Sequence, residues 1–238
     1  MSKQYDVAII GGGISGLMAA YRLTERNPAL SVVLFEKGHP LERRVCPIVA
    51  KKVSTCIKCK SCAIMEGLAG AGAFSDGKYV ISTEYGGWLT EFLPDATVID
   101  YIEQADSILV SFGATTERFM PNNELKKRCL EFDLHMSQAQ LKHLGTDSNF
   151  DTMVHLVNSL RDKVSLLTGS CVTNVDKNSH TIEFSNQDGE QTCTADRIIF
   201  AVGRAGSLFF SDWCERNQIP LSNNQVDVGV RVELPAMV

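Results

Sequence analysis

The chain has 238 residues, of which 44% are hydrophobic and 21% charged, a composition and length that suit one large domain or one domain plus part of a second. Its net charge of -5, without a basic stripe, argues against nucleic acid as a partner, because phosphate binding needs clustered Lys and Arg. No apolar run approaches the roughly 18 residues of a membrane span, and the N-terminus lacks the layout of a secretion signal. We therefore expect a cytoplasmic protein without membrane contact, in which the eight cysteines are reduced unless a metal or a redox function uses them.

A glycine-rich turn separates a predicted strand at residues 5–10 from a predicted helix at 14–23. The segments read YDVAII, GGG and ISGLMAAYRL, so that Gly11, Gly13 and Gly16 form a G-x-G-x-x-G pattern. In dinucleotide-binding folds these glycines permit a tight turn, the approach of a pyrophosphate and close packing of the helix on the strand. The start of the helix offers free N–H groups and a positive dipole end to the phosphates. The pattern therefore predicts a dinucleotide site.

An acidic residue ends the second predicted strand, SVVLFEK at residues 31–37. Glu36 stands 20 residues after Gly16, where a carboxylate can accept a hydrogen bond from a ribose 2′-OH and disfavours a 2′-phosphate. The alternative is a glycine turn followed by an unrelated surface glutamate. The order of strand, glycines, helix, strand and acid favours the binding site, because all five features agree in spacing.

The segment GAGAFSDGKY at residues 70–79 nearly forms a P-loop, with Gly72, Gly77 and Lys78 at the required spacing. Tyr79 stands where a P-loop needs Ser or Thr to hold magnesium. Nucleotide hydrolysis is therefore not predicted. Small residues in this stretch would let the backbone approach a flat ligand, and a glycine-rich surface loop is the alternative interpretation.

A second fingerprint is predicted in the C-terminal half. Residues 164–175 are predicted to form a strand with 180–184 as its hairpin partner, and 194–207 contain a strand that ends in Ala201-Val202-Gly203. A hairpin before a strand with this ending is typical of glutathione-reductase-type flavoproteins. It favours FAD, because a simple NAD dehydrogenase would continue in βα units instead.

Further helices are predicted from apolar spacing and capping residues. They cover 95–114 with Asp95 as the cap, 121–132, a stretch from Asn149 or Asp151 to about 163, and 208–217. His143 and Asp147 are predicted to lie in a loop with Gly145, ahead of the third of these helices. A loop histidine and a capping aspartate are more common than a catalytic pair, so we assign no catalytic residue.

Three cysteines in CIKCKSC, Cys56, Cys59 and Cys62, form two successive C-x-x-C steps, and Cys46 could supply a fourth ligand. Thiolates at such spacing suit tetrahedral zinc or an iron–sulfur cluster. A redox-active dithiol that exchanges electrons with a flavin is a second interpretation, and cysteines that only pack or stay free are a third. All three remain open.

Several specific motifs together resemble the FAD-dependent dehydrogenases, also called NAD(FAD)-utilising dehydrogenases, along essentially the whole chain. They are GGGISGLMAAYRL, Cys46-Pro47, CIKCKSC, GAGAFSDGKY, EYGGWL, HLGTD and AVGRAGS. The resemblance implies a bound FAD whose flavin half lies near the GAGAFSDGKY loop. Members of that family continue beyond VDVGVRVELP, so the resemblance implies that this chain corresponds to an N-terminal portion.

The cofactor contacts implied by the resemblance are Gly11, Gly13, Ser15 and Gly16 at the pyrophosphate, Glu36 at the adenosine ribose, Val172 at the adenine, and Ala201 and Gly203 along the dinucleotide. Lys37, Gly72 and Ser75 complete the predicted set.

The expected fold is α/β: a Rossmann-like FAD/NAD(P)-binding three-layer (ββα) fold with a long insertion after the second strand. The core would span 1–37 and 148–219, the insertion 38–147, and the start of a substrate domain 220–238. The expected function is that of an FAD-dependent oxidoreductase that acts on a small-molecule substrate, with NAD(P)H as a candidate electron donor. A flavin-binding protein associated with RNA modification and an NAD-only dehydrogenase are the alternatives.

Overall fold

The computed structural model describes residues 3–84, 86–120, 122–136, 138–223 and 228–230. Its strands are, in chain order, β1 (Lys3–Ile10), β2 (Val32–Glu36), β3 (Lys78–Ile81), β4 (Gln140–His143), β5 (Val164–Thr168), β6 (Cys171–Val175), β7 (Thr181–Asn186) and β8 (Gly189–Phe200). Its α-helices are α1 (Ile14–Arg26), α2 (Asp95–Ser111), α3 (Asn123–Glu131), α4 (Thr146–Leu160) and α5 (Ser207–Arg216). Among the residues described, no helix is long and apolar enough to cross a membrane.

The main sheet has the order β5-β2-β1-β8-β7-β6. Its first four strands are parallel, whereas β6, β7 and β8 form an antiparallel meander. The long strand β8 belongs to both parts, because its first half pairs with β7 and residues 193–200 pair with β1. The carboxyl ends of β1, β2 and β8 consequently meet at one edge of the sheet, where α/β folds bind their ligands.

Apolar residues on the two faces of the parallel strands form two separate cores. In β1, Ile9 faces a core that α1 and α4 cover, while Ile10 faces the opposite core, as the alternation of side chains along a strand requires. The meander and α5 close the second core, in which the ring centroids of Phe35 and Phe184 lie 4.8 Å apart. Helices, parallel sheet and meander thus confirm the predicted three-layer (ββα) Rossmann-like fold.

The stretch predicted as one strand at 164–175 is two strands. Gly169, with a φ of +62°, lies between β5 and β6, and its N–H donates to the carbonyl oxygen of Gly38 at 2.8 Å. The next N–H, of Ser170, donates to the carbonyl oxygen of Glu36 at 2.9 Å. The turn is therefore fixed against the end of β2, which lets β5 join the parallel sheet and β6 begin the meander.

The segment between β2 and α4 carries its own small sheet, β3 paired antiparallel with β4, which was not predicted from the sequence. The predicted helices are present, with shifted ends: α2 begins at Asp95 itself, after Pro94, and α4 begins at Thr146, ahead of Asn149. The predicted start of a substrate domain at 220–238 includes 224–227 and 231–238, which lie outside the described residues. The proposed domain division stays a prediction.

Candidate functional site

A cavity of about 930 Å³ opens at the carboxyl ends of β1, β2 and β8. Five chain segments form its wall: the glycine turn after β1, the end of β2, residues 65–72 of the insertion, the start of β6, and the residues from the end of β8 into α5. Ligand pockets of proteins commonly measure roughly 300 to 1,000 Å³. The cavity is therefore large enough for a dinucleotide and lies where this sheet topology binds one.

The three glycines of the G-x-G-x-x-G pattern have different surroundings. Gly11 has a φ of +111°, and a Cβ added there would lie 2.3 Å from the carbonyl oxygen of Ala201. A Cβ on Gly16 would lie 2.0 Å from the carbonyl oxygen of Gly11. Gly13, by contrast, lines the cavity, and the nearest atom to its added Cβ is the Cα of Gly70 at 3.9 Å. Gly11 and Gly16 hold the turn together, while Gly13 leaves space for a ligand.

The N-terminus of α1 points its first amides toward this space. The first intrahelical hydrogen bond runs from the N–H of Leu17 to the carbonyl oxygen of Gly13 at 3.0 Å. The amides of Ile14, Ser15 and Gly16 precede it and have no partner within the helix, and both Ile14 and Ser15 line the cavity. Such a terminus suits a phosphate, because N–H groups and the positive end of the helix dipole act together.

The carboxylate of Glu36 is buried and braces three segments of the cavity wall. Its Oε2 accepts a hydrogen bond from the N–H of Gly12 at 2.9 Å, and its Oε1 accepts from those of Gly38 at 2.7 Å and Gly67 at 3.1 Å. An ionised carboxylate offers about four acceptor positions. One position is left for a ribose hydroxyl, so the predicted ribose contact is compatible with a bracing role that the sequence did not reveal.

Asn149 of α4 binds the glycine-rich loop, residues 70–79, whose first residues line the cavity. Its side chain is buried, and Nδ2 donates to the carbonyl oxygens of Gly72 at 2.8 Å and Ser75 at 3.3 Å. Its Oδ1 accepts a hydrogen bond from the hydroxyl of Tyr79 at 2.8 Å. Burial, with a smaller contribution from the charge of Asp106, raises the pKa of Tyr79 to about 12. The glycine-rich loop is thus fixed to α4 and β3.

Most of the predicted cofactor residues line the cavity: Gly11, Gly13, Ser15, Glu36, Lys37, Gly72, Val172, Ala201 and Gly203. Two do not. Gly16 packs against Gly11 behind the turn, and the Oγ of Ser75 donates to the carbonyl oxygen of Gly72 within its own loop at 2.8 Å. Contacts of all these residues with a cofactor remain predictions.

An ion pair that the sequence did not predict connects three segments of the cavity wall. The Nζ of Lys37 lies 2.9 Å from Oε1 of Glu66 and also donates to the carbonyl oxygen of Ala205 at 3.4 Å. These three residues belong to the end of β2, the insertion and the segment before α5, and all line the cavity. The sequence signal for this ion pair was the charge of Lys37 directly after Glu36. Its partners could not be predicted, because they are distant in sequence.

The four cysteines proposed as ligands are free thiols, with Cys56 and Cys59 exposed and Cys46 and Cys62 partly buried. Across the described ranges, no group of three or more His, Cys, Asp or Glu side chains is placed to hold a metal ion. The segment does reach the cavity wall, because the N–H groups of Met65 and Glu66 donate to the carbonyl oxygen of Cys62. The metal role of these cysteines stays a prediction.

His143 does not pair with Asp147, which lies in the first turn of α4. Its Nε2 lies 3.5 Å from Oδ2 of Asp76. Asp76 also binds Lys78 at 3.1 Å, and that hydrogen bond is the main reason why the pKa of the Asp76 carboxyl is lowered. These three exposed side chains meet where the end of the glycine-rich loop, residues 70–79, pairs with β4, and their contacts were not predicted.

The three-layer fold and the cavity at its strand ends define a dinucleotide-binding protein of the Rossmann type. Residues 5–215 match the family described as pyridine nucleotide-disulphide oxidoreductase. The chain belongs to this family, which supports FAD as the cofactor.

The chain is similar in sequence to one known protein and in structure to several others. A 55-residue stretch is 44% identical to the mitochondrial L-2-hydroxyglutarate dehydrogenase of Dictyostelium discoideum, covering 23% of this chain and 11% of that protein. Glycine oxidase from Geobacillus kaustophilus matches with a TM-score of 0.50 and 14% identity, over 93% of this chain and 60% of that one. THI4 from Thermovibrio ammonificans matches with a TM-score of 0.50 and 16% identity, over 90% and 62% respectively. The structural matches show the shared fold alone, and this chain spans less than two thirds of each of these proteins.

Proposed function

We propose that the chain binds FAD noncovalently and acts as an FAD-dependent oxidoreductase on a small-molecule substrate. The observation that carries the proposal is the cavity of about 930 Å³ at the ends of β1, β2 and β8, with the open face of Gly13 and the start of α1 in its wall. Family membership and the hairpin that precedes Ala201-Val202-Gly203 favour FAD over NAD alone.

The residues around the cavity suit the parts of FAD. The first amides of α1 would receive the pyrophosphate, and the remaining acceptor position on Glu36 would receive a ribose hydroxyl. The apolar side chain of Val172 would lie against the adenine, and the small residues at 69–72 against the flavin. When bound, FAD supplies the hydride and electron transfer chemistry, while the chain binds it, orients it and excludes water.

Four finer assignments belong to the same proposal. NAD(P)H is the proposed electron donor, which the description of the family supports. The proposed location is the cytoplasm. The proposed division is a core at 1–37 and 148–219, an insertion at 38–147 and a substrate domain that begins at 220. A zinc ion or an iron–sulfur cluster at the cysteines is the remaining assignment, and it would require the exposed CIKCKSC segment to rearrange.

The test is the visible spectrum of the purified 238-residue chain after incubation with FAD and gel filtration. We expect the two absorption bands of oxidised flavin to elute with the protein, and to bleach when NADH or NADPH is added without oxygen. A folded protein that elutes colourless would overturn the proposal. Retained flavin that dithionite reduces, but neither nicotinamide nucleotide does, would preserve FAD binding and remove NAD(P)H as the donor.

A further inference from the structure

Arg44 is a buried arginine of the insertion that the cavity does not include. It follows a short 3-10 turn at Leu41–Arg43, eight residues after Glu36, and the residue is 4% exposed. Arginine is almost never fully buried unless its charge and its N–H groups find partners. The partners of Arg44 therefore indicate why it occupies this position.

The guanidinium of Arg44 donates to four backbone carbonyl oxygens of one loop. Nε donates to Ala63 at 2.9 Å and Nη2 to Ile64 at 2.8 Å. Nη1 donates to Leu68 at 2.8 Å and to Gly70 at 2.7 Å. All four contacts fall within 63–70, so that one rigid, planar group fixes the positions of four peptide units.

The segment 63–70 has no helix or strand of its own to satisfy these carbonyls. Gly67, Ala69 and Gly70 have positive φ values, of +116°, +71° and +68°, and each lines the cavity. Buried carbonyl groups need partners, and this irregular backbone receives them from Arg44. A Cβ on Gly67 would lie 2.7 Å from the Cδ of Arg44, which shows how closely the loop packs on the side chain.

The segment 63–70 also contacts the negatively charged side chain of Glu36. Glu36 accepts the N–H of Gly67, while Arg44 donates to carbonyl groups on both sides of that residue. Burial lowers the pKa of the Arg44 guanidinium, and the charge of Glu36 partly offsets this. The ring of Phe74 lies 4.8 Å from the guanidinium carbon and adds a cation–π contact. The buried charges are thus balanced across the wall of the cavity.

We propose that Arg44 is a positioning residue for the FAD site: it fixes the segment 63–70 in the shape that receives the cofactor, and it acts through the backbone rather than by contact with FAD. The inference rests on the proposed function. It predicts that the cavity wall is formed before FAD arrives, and that a positive charge alone at position 44 is insufficient. Lysine supplies the charge but lacks the planar fork of donors.

The test compares Arg44→Lys with Arg43→Lys, an exposed neighbour, by titration of each full chain with FAD and by urea unfolding. We expect Arg44→Lys to weaken FAD binding roughly tenfold or more, because buried carbonyls lose their donors, and Arg43→Lys to leave it unchanged. Ile182→Val, in the core of the meander, supplies a variant of lowered stability with an intact loop. It should keep its FAD affinity, which separates a positioning role from general destabilisation.

Hydrogen exchange on the wild-type chain tests whether the segment 63–70 is ordered before FAD binds, even if Arg44→Lys does not fold. We expect amides of 63–70 to be protected before FAD is added, with little further change on binding. A loop that exchanges freely in the FAD-free protein and becomes protected only with FAD would overturn the inference, as would an Arg44→Lys variant with unchanged affinity. A wild-type chain that does not bind FAD at all would instead be a failure of the proposed function.

Discussion

The side-chain amide of Asn149 donates a hydrogen bond to the carbonyl oxygen of Gly72 at 2.8 Å. Because Asn149 belongs to the first turns of α4 and Gly72 lines the cavity, this contact connects the helical layer of the core with the glycine-rich loop of the insertion. A Cβ on Gly77 would lie 2.8 Å from that of Asn149, so the loop is packed against the helix as well as hydrogen-bonded to it.

Replacing Asn149 by Ala should lower the free energy of unfolding by about 1–3 kcal/mol, because a buried carbonyl and the hydroxyl of Tyr79 lose their partner. Urea denaturation measures the change. Asn158→Ala, on the exposed side of the same helix, is the matched control and should stay within about 0.5 kcal/mol of wild type. Equal losses in the two variants would contradict the role assigned to Asn149.

Substitutions at two glycines of the turn should have different effects, one on FAD affinity and the other on the stability of the fold. Gly13→Ala should keep the fold, since its φ is -72° and its Cβ would meet nothing closer than 3.9 Å, yet it should weaken FAD binding roughly tenfold or more. Gly16→Ala should destabilise the fold by about 1–3 kcal/mol through overpacking. FAD titration and thermal unfolding of both variants check this. Unchanged FAD affinity in Gly13→Ala would show that the cofactor does not approach this glycine.

A larger side chain at Gly72 should obstruct the flavin half of the site. Within the described parts of the chain, nothing lies within 4 Å of a Cβ built there, and the same is true of Gly87, but only Gly72 lines the cavity. Gly72→Val should therefore lower FAD affinity while Gly87→Val should not, with similar thermal unfolding for both. Tight FAD binding by Gly72→Val would exclude the flavin from this part of the wall.

Tyr79 should ionise late in a pH titration. Its pKa rises from the ordinary tyrosine value of about 10 to about 12, mainly through burial. The folded chain therefore holds this proton more tightly than the unfolded chain, so the stability contributed by Tyr79 is complete below pH 10 and is lost as the pH rises through 12.

The measurement is the phenolate absorbance of wild type minus that of Tyr79→Phe. Tyr101→Phe, at a half-exposed position, is the control, and it should retain the late step. The difference method is needed because burial also raises the pKa of Tyr21. A Tyr79 step at the ordinary tyrosine pKa would show that the hydroxyl is hydrated rather than bonded to Asn149.

The sequence predicted the architecture where local signals suffice. The strand–glycine–helix–strand order of β1, α1 and β2 could be predicted because apolar periodicity, the glycine spacing and Glu36 all lie within one short stretch. The division of 164–175 into β5 and β6 could not be predicted. The turn between them depends on hydrogen bonds with Gly38 and Glu36, which are distant in sequence.

The site was predicted only in part, for a related reason. The glycines and Glu36 could be predicted because they occur at fixed spacings in the sequence, and most of them line the cavity. Arg44, Asn149 and Glu66 carry no such pattern, because each acts on a segment that is brought near only by the folding of the insertion. Asn149 in particular resembles an ordinary helix-starting residue, and its true partners are about 75 positions away in sequence.

FAD binding at the glycine turn is tested by an equilibrium titration of the FAD-free 238-residue chain with FAD, followed by flavin fluorescence, with riboflavin as the comparison. We predict saturable binding of one FAD per chain and much weaker binding of riboflavin, which lacks the pyrophosphate that the start of α1 would hold. Equal affinity for the two flavins would place the ligand away from the glycine turn. A folded chain that does not bind FAD would show that the cavity is not an FAD site.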